Sequence, residues 1–246
     1  MMPADAPLYQ VAHGMSFGIV FGKLIYGGSG RYLVNPAMLA IAFLVFSYSE
    51  LMFSTGAWVP VAGYDQPTVL ELVTEEGGIR VIPAVGYSWW QLFLGDQPGA
   101  VGVVSVLGAG LGALFLVWTG MASWRVIAGS LLGLVGVSLL CNTIAPDHLI
   151  LSIPWYWHLV LGGFAFGTVF IATDPVTGAM TDPGRWGFGL LVGGLTVLIR
   201  LGNVSYYEAM IFAILVASLF SPLIDYVVVQ RNIRRRRLRL AEADHA

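Results

Sequence analysis

Charged side chains are scarce in this chain. Asp, Glu, Lys and Arg make up 11% of its 246 residues, where a soluble domain carries about 25%. That shortage excludes a water-solvated globule. With 57% apolar residues and a mean hydropathy of +0.78, the class left is a polytopic membrane protein. Cysteine is nearly absent too. Cys141 is the single one, so no internal disulfide exists, and its apolar surroundings read as a small buried core residue. Histidine pairs are missing: no second His stands at ligand spacing from His158, which excludes a haem site. No Gly-rich loop precedes Lys-Ser/Thr, so no phosphate cradle is present. No Ser/His/Asp or Cys/His constellation stands out. The first residues lack a basic n-region, so no cleavable signal peptide is expected and insertion rests on the spans themselves.

What is present is long apolar runs. Six are long enough, or nearly so, to cross a bilayer: 36–53, 99–119, 123–143, 156–174, 185–201 and 206–229. A crossing takes about 20 apolar residues. A shorter Gly-rich run, 14–26, ends in Tyr26-Gly27-Gly28-Ser29-Gly30 and reads as a half-helix or re-entrant segment, covered by protein or lining a cavity. The expected fold is therefore all-α, with about six transmembrane helices plus that short piece. Residues 1–246 form one membrane domain, 54–98 an extracytoplasmic loop insertion and 230–246 a basic cytoplasmic tail. The Arg-rich end (Arg231, Arg234, Arg235, Arg236, Arg237, Arg239) belongs in the cytoplasm. Counting back puts Arg125, Arg185, Lys23 and Arg31 on the same side, so ten of the twelve basic residues agree with one topology; Arg80 and Arg200 fall outside. The basic tail reads as a topology signal touching lipid headgroups, not nucleic acid. Trp89-Trp90 and the cluster Trp155, Tyr156, Trp157 mark the outer interface, and His158 beside them reads as hydrogen-bonded structure. Gly162-Gly163, Gly193-Gly194, Gly129 and Gly133 read as close helix packing.

Two carboxylates stand against this apolar background, each beside a proline: Ala172-Thr173-Asp174-Pro175 and Ser221-Pro222-Leu223-Ile224-Asp225. A charge at the centre of a membrane helix costs roughly 2.5–3.5 kcal/mol, and such residues mark ion or proton paths. Asn35-Pro36 repeats the pattern of Asp174-Pro175: a short polar side chain, then a proline that leaves carbonyls of the preceding turn without a donor. Carboxylate, hydroxyls (Thr173, Thr177) and freed carbonyls are the hard oxygen ligands a sodium ion takes. The plain alternatives are helix starts: Asn35 and Asp174 as N-caps before proline, and Asp225, Glu50 and Glu208 as interfacial residues.

The stretch from Pro154-Trp-Tyr-Trp-His through Ala172-Thr-Asp174-Pro-Val resembles NqrB, a membrane component of the sodium-translocating NADH:quinone oxidoreductases. So do Leu198-Ile-Arg, Ser221-Pro-Leu-Ile-Asp225-Tyr, Val228-Val-Gln-Arg-Asn-Ile-Arg-Arg, Phe21-Gly-Lys-Leu-Ile-Tyr-Gly-Gly-Ser-Gly-Arg and Asn35-Pro-Ala. RnfD, the related component of the Rnf electron-transport complex, shares Ala-Thr-Asp-Pro and less of the rest. The resemblance covers about 13–237 and corresponds to the C-terminal half of the family pattern. It implies a urea-transporter-like repeat fold in the bacterial inner membrane, and a subunit of a redox-driven sodium pump that works only within its complex. It implies FMN bound covalently to Thr68 in the outward loop, with riboflavin or quinone at subunit interfaces. Asp174, Asp225 and Asn35 would line the cation path, with Phe170 as an apolar gate one turn before Asp174. The expected partners are the other subunits, membrane lipids, sodium and a separate chain supplying upstream helices; a truncated relative is the other possibility. The loop departs from the family pattern: Asp65-Gln66-Pro67 precedes Thr68 where the family has Ser-Gly-Ala. A flavin-free cation or solute transporter component of the same fold is the alternative reading, and a structural scaffold is a third.

Overall fold

The computed structural model describes residues 6–52, 69, 73, 82, 86–97, 99–100, 102–144, 153–202 and 209–244. Their regular structure is helical, with no strand among the described residues. In chain order the helices are α1 (Leu8–Ile19), running on into a π-helical turn at Val20–Leu24; α2 (Pro36–Ser47); α3 (Ser49–Met52); α4 (Trp89–Leu94); α5 (Val106–Trp118); α6 (Trp124–Ile144); α7 (Trp155–Val160); α8 (Phe164–Phe166), running into a second π-turn at Gly167–Ile171; α9 (Asp182–Gly202); and α10 (Ala209–Asp244). Three stretches are long and apolar enough to cross a membrane: Trp124–Ile144, Asp182–Leu201 and Ala209–Leu240. Pro36–Ser47 and Val106–Trp118 are apolar but shorter.

Glycine sets how closely the helices approach. A Cβ on Gly129 would stand 2.9 Å from Trp186 O, and one on Gly133 or Gly193 would run into the carbonyls of Leu190 and Ser130. Backbones therefore touch directly, as small residues permit in lipid. The register (129 beside 189, 133 beside 194) makes α6 and α9 parallel, and it brings Arg125 and Arg185 to one end. Both bond Asp182 there, at 3.2 and 3.4 Å. α10 runs back along α9: Gly187 lies by Ile224, and Thr196 Oγ1 reaches Met210 Sδ at 3.2 Å. α1 and α2 form a second antiparallel pair through Gly14, Gly18 and Gly22, with Phe17 and Phe43 stacked at 4.2 Å.

Three segments expected as single spans are not single helices. The run 36–53 divides at Tyr48 into α2 and α3. In 99–119 the helix starts only at Val106, where Ser105 caps Gly108 N. In 156–174 the helix breaks at Leu161. Gly162 and Gly163 are both left-handed (φ 61° and 64°), a conformation that other residues adopt only at a cost. This glycine pair is a hinge in the backbone, not a packing surface. The short Gly-rich run proves to be a helix from Leu8 that ends at its own π-turn before left-handed Gly27, Gly28 and Gly30. The basic tail continues α10 without interruption.

Candidate functional site

Asn35 and Asp174 lie 139 residues apart and meet side chain to side chain. The Asn35 amide divides its work. Its Oδ1 accepts from Ala37 N at 3.0 Å and Met38 N at 3.4 Å, capping α2 ahead of Pro36. Its Nδ2 donates to Asp174 Oδ2 at 3.3 Å. Asp174 follows the broken helix α7–α8 and holds the turn behind it: Oδ1 accepts from Val176 N (3.1 Å), Oδ2 from Thr177 Oγ1 (3.2 Å), and its carbonyl from Gly178 N (3.0 Å). Thr173 Oγ1 turns away to Val169 O. The phenol of Tyr32, in the loop before α2, also faces Asp174; burial, and then the carboxylate's charge and hydrogen bond, push its pKa up. The phenol therefore stays protonated and keeps donating.

Every donor on Asp174 in this set is uncharged, and Arg125 and Arg185, which share a cavity wall with it, are engaged elsewhere. Arg125 and Arg185 both lean on Asp182, and Arg125 lies 5.3 Å over the Trp124 ring. Trp124, Arg125 and Arg185 rim a cavity of about 330 Å³ that has Asp174, Thr173 and Pro175 in its wall. The arrangement provides a half-buried carboxylate, ringed by amide, hydroxyl and phenol groups and open to one end of the bundle.

Asp225 reaches a different part of the same loop. From α10 it accepts from Met180 N (2.7 Å), Thr181 N (3.0 Å) and Thr181 Oγ1. Thr181 Oγ1 in turn accepts from Gly184 N in the first turn of α9. Asp225 is thus a cap supplied from another helix, anchoring the far end of the 174–181 segment. Phe170 packs against Phe166 with the rings tilted (centroids 5.0 Å apart) and is 43% exposed. It leans into the notch left by Gly112 of α5, where a Cβ would sit 2.6 Å from the ring. Thr68 lies outside the described residues, as do Glu208 and most of 54–98.

Sequence reasoning missed one constellation. Arg200, counted on the outer side at the end of the run 185–201, is buried inside the bundle, 3% exposed. Its guanidinium fork donates to His158 O (3.1 Å) and Leu161 O (2.6 Å) and meets His158 Nδ1 at 3.0 Å. A guanidinium only donates, so Nδ1 accepts and the His158 ring proton sits on Nε2. His158 is hydrogen-bonded structure, as its lone position implied. The glycine pair after an aromatic helix was the available signal, because a helix that breaks in lipid needs donors for its last carbonyls.

A model of the NQR2, RnfD, RnfE family matches residues 1–234. The chain belongs to this family. Curated relatives agree, each of them the B component of a Na(+)-translocating NADH-quinone reductase. The Azotobacter vinelandii protein is 46% identical over 236 residues, covering 96% of this chain and 58% of that protein. Its Pseudomonas aeruginosa counterpart is 47% identical over 236 residues, with 96% and 58% covered, and the Klebsiella pneumoniae one is 44% identical over 243, with 97% and 59% covered. The chain spans under three fifths of the length of these relatives. Family membership places the Asn35–Asp174 contact and the broken helix in a membrane-protein setting, as the apolar helices require.

Proposed function

We propose that this chain is a membrane subunit of a respiratory, redox-driven sodium pump, passing electrons by way of FMN toward quinone and forming part of the cation path. The observation that carries the reading is the Asn35–Asp174 joint. A carboxylate with only neutral donors sits where a broken helix ends beside a capped helix start, and it opens on a cavity. Helix breaks of this kind hold ions in transporters, and the nearest chemistry in the relatives' names is sodium translocation.

On this reading Asp174 and Asn35 take the ion, Phe170 is the apolar gate beside them, and Asp225 sets the shape of the loop at the mouth of the path. The fold is a six-span bundle with a urea-transporter-like repeat. Its two halves each end a helix in a π-turn, at Val20–Leu24 and Gly167–Ile171, before meeting through Asn35 and Asp174. The chain is one membrane domain with 54–98 outside, and its basic end lies in the cytoplasm of a bacterial inner membrane. The partners are the other pump subunits, lipids and the ion, with a second chain or segment supplying upstream helices and riboflavin or quinone at subunit interfaces.

FMN would be held at Thr68. Its sequence neighbour Val69 belongs to a buried apolar cluster with Val160 and Leu161, against which Trp89, Phe93 and Trp157 pack. Bound there, FMN supplies one-electron steps. The test is co-expression with the partner subunits and a flavin transferase. A fluorescent band for this chain on a denaturing gel, together with NADH-driven ²²Na⁺ uptake into sealed vesicles, is the expected result. Sodium movement with no flavin band would favour the flavin-free transporter.

A further inference from the structure

We propose that Arg200 is a tethered cation that plugs the cation route at the end of the bundle opposite Asp174. The helix break supplies the first observation. α7 stops at Val160 and the chain passes through extended Leu161 and two left-handed glycines. The break leaves carbonyls at a helix C-terminus, the negative end of its dipole. Such carbonyls are where transporters with broken helices coordinate cations. Here the position is filled: the Arg200 guanidinium reaches across from α9 and takes His158 O and Leu161 O. A covalently attached cation stands where a mobile one would bind.

The second observation is the charge itself. Arg200 is buried, and a buried ion is costly unless something requires it. Its partners among the described residues are two backbone carbonyls and a neutral ring nitrogen, and Nε has none there. A glutamine could donate to a carbonyl without that cost, so satisfying the break does not explain the charge. Arg125 and Arg185 make the contrast, since their charges share the carboxylate of Asp182. Because His158 accepts, it stays neutral, and the Arg200 field is left uncancelled by these contacts.

The third observation is placement. The segment that begins with the plugged break ends at Asp174, 13 residues beyond Leu161, about 20 Å if helical throughout. This segment thus carries a cation-attracting carboxylate at one end and, at the other, carbonyls held by the positive charge of Arg200 from α9. Between them Thr168 Oγ1 is buried without a partner among the described residues. A fixed arginine in a narrow polar route repels cations. Arg200 would prevent ions from running back through the bundle when electron transfer is not driving them. The inference rests on the cation-path reading of Asp174.

The experiment is passive ²²Na⁺ influx, without NADH, into sealed vesicles holding the full chain with its partner subunits. Wild type and Arg200→Lys should be tight. Arg200→Ala should leak roughly tenfold faster or more, as removal of a low-dielectric charge barrier implies, and millimolar guanidinium should slow that leak again. Arg200→Gln, which keeps a donor but no charge, should leak as well. An Arg200→Gln or Arg200→Ala protein that assembles and is as tight as wild type overturns the proposal, as does a leak that guanidinium leaves unchanged. If both neutral variants fail to assemble while Arg200→Lys succeeds, the charge is a folding requirement and the plug is equally refuted. NADH-driven uptake in wild-type vesicles tests the pump reading separately: its absence sinks that reading whatever the leak shows.

Discussion

At the residue scale, function turns on side chains that hold two jobs. Asn35 caps α2 with its oxygen and donates to Asp174 with its nitrogen. Asn35→Ala loses both, at about 1 kcal/mol for the cap alone. Asn35→Asp keeps the cap and loses the donor. We expect both to raise the sodium concentration needed for half-maximal turnover several-fold, and both to lower thermal stability, Asn35→Asp through repulsion between two adjacent carboxylates; a normal sodium response in Asn35→Asp would reduce Asn35 to a cap. Asp225 gains a structural role beside the one its sequence position suggests. Its proline-flanked setting points to an ion, yet its oxygens are engaged by Met180 N, Thr181 N and the Thr181 hydroxyl. Hydrogen bonds to a charged acceptor contribute about 1.5–3 kcal/mol. Asp225→Ala should therefore lower the melting temperature measurably as well as weaken sodium stimulation. Phe170 has its own test. Gly112→Ala puts a methyl 2.6 Å from its ring carbon, so Phe170 must swing away. Cation coupling should fall while flavin content holds, and equal loss of both would indicate misfolding.

At the element scale, the deciding features are places where helices stop or touch. The α7–α8 break depends on Gly162 and Gly163 having no side chain. Gly163→Ala forces a left-handed alanine, at about 1–2 kcal/mol, and should tilt the segment that carries Asp174. Its readout is coupling, the sodium moved per NADH oxidised, which should drop before electron transfer does. Gly193→Ala is harsher. Its Cβ would overlap Ser130 O and lie 2.7 Å from Leu134 N, so α6 and α9 must part, and loss of assembled protein on a sizing column is expected. Apolar runs revealed α6, α9 and α10 because the hydrophobic pattern there is unbroken and long. They did not reveal the break at Leu161. Gly-Gly inside an apolar run reads equally as close packing or as a hinge, and only backbone angles separate the two. Arg200 was hidden for the same reason: its carbonyl partners exist only once the helix has broken.

For the whole molecule, the topology argument from arginines has one structural counterpart. Arg125 and Arg185, assigned to one side by span counting, share Asp182. α10 has 36 residues, about 54 Å of helix, against a hydrocarbon core of about 30 Å. Its Arg-rich end must project beyond the apolar layer, and the exposure of Arg231 to Arg239 agrees. A reporter enzyme that works only outside the cytoplasm should stay silent when fused after Ala246. The all-helical membrane class was readable, and Asp174 and Asn35 each stood out, because polar residues in the apolar runs are few; that the two touch was not readable. The proposal of FMN at Thr68 rests only on family likeness, since a loop threonine carries no chemistry of its own. The central claim is that Asp174 binds the ion being moved. NADH-driven ²²Na⁺ uptake into sealed vesicles, compared between wild type and Asp174→Asn with flavin content matched, addresses it most directly. Uptake per NADH oxidised should fall steeply in the variant while electron transfer continues; an unchanged ratio would contradict the account.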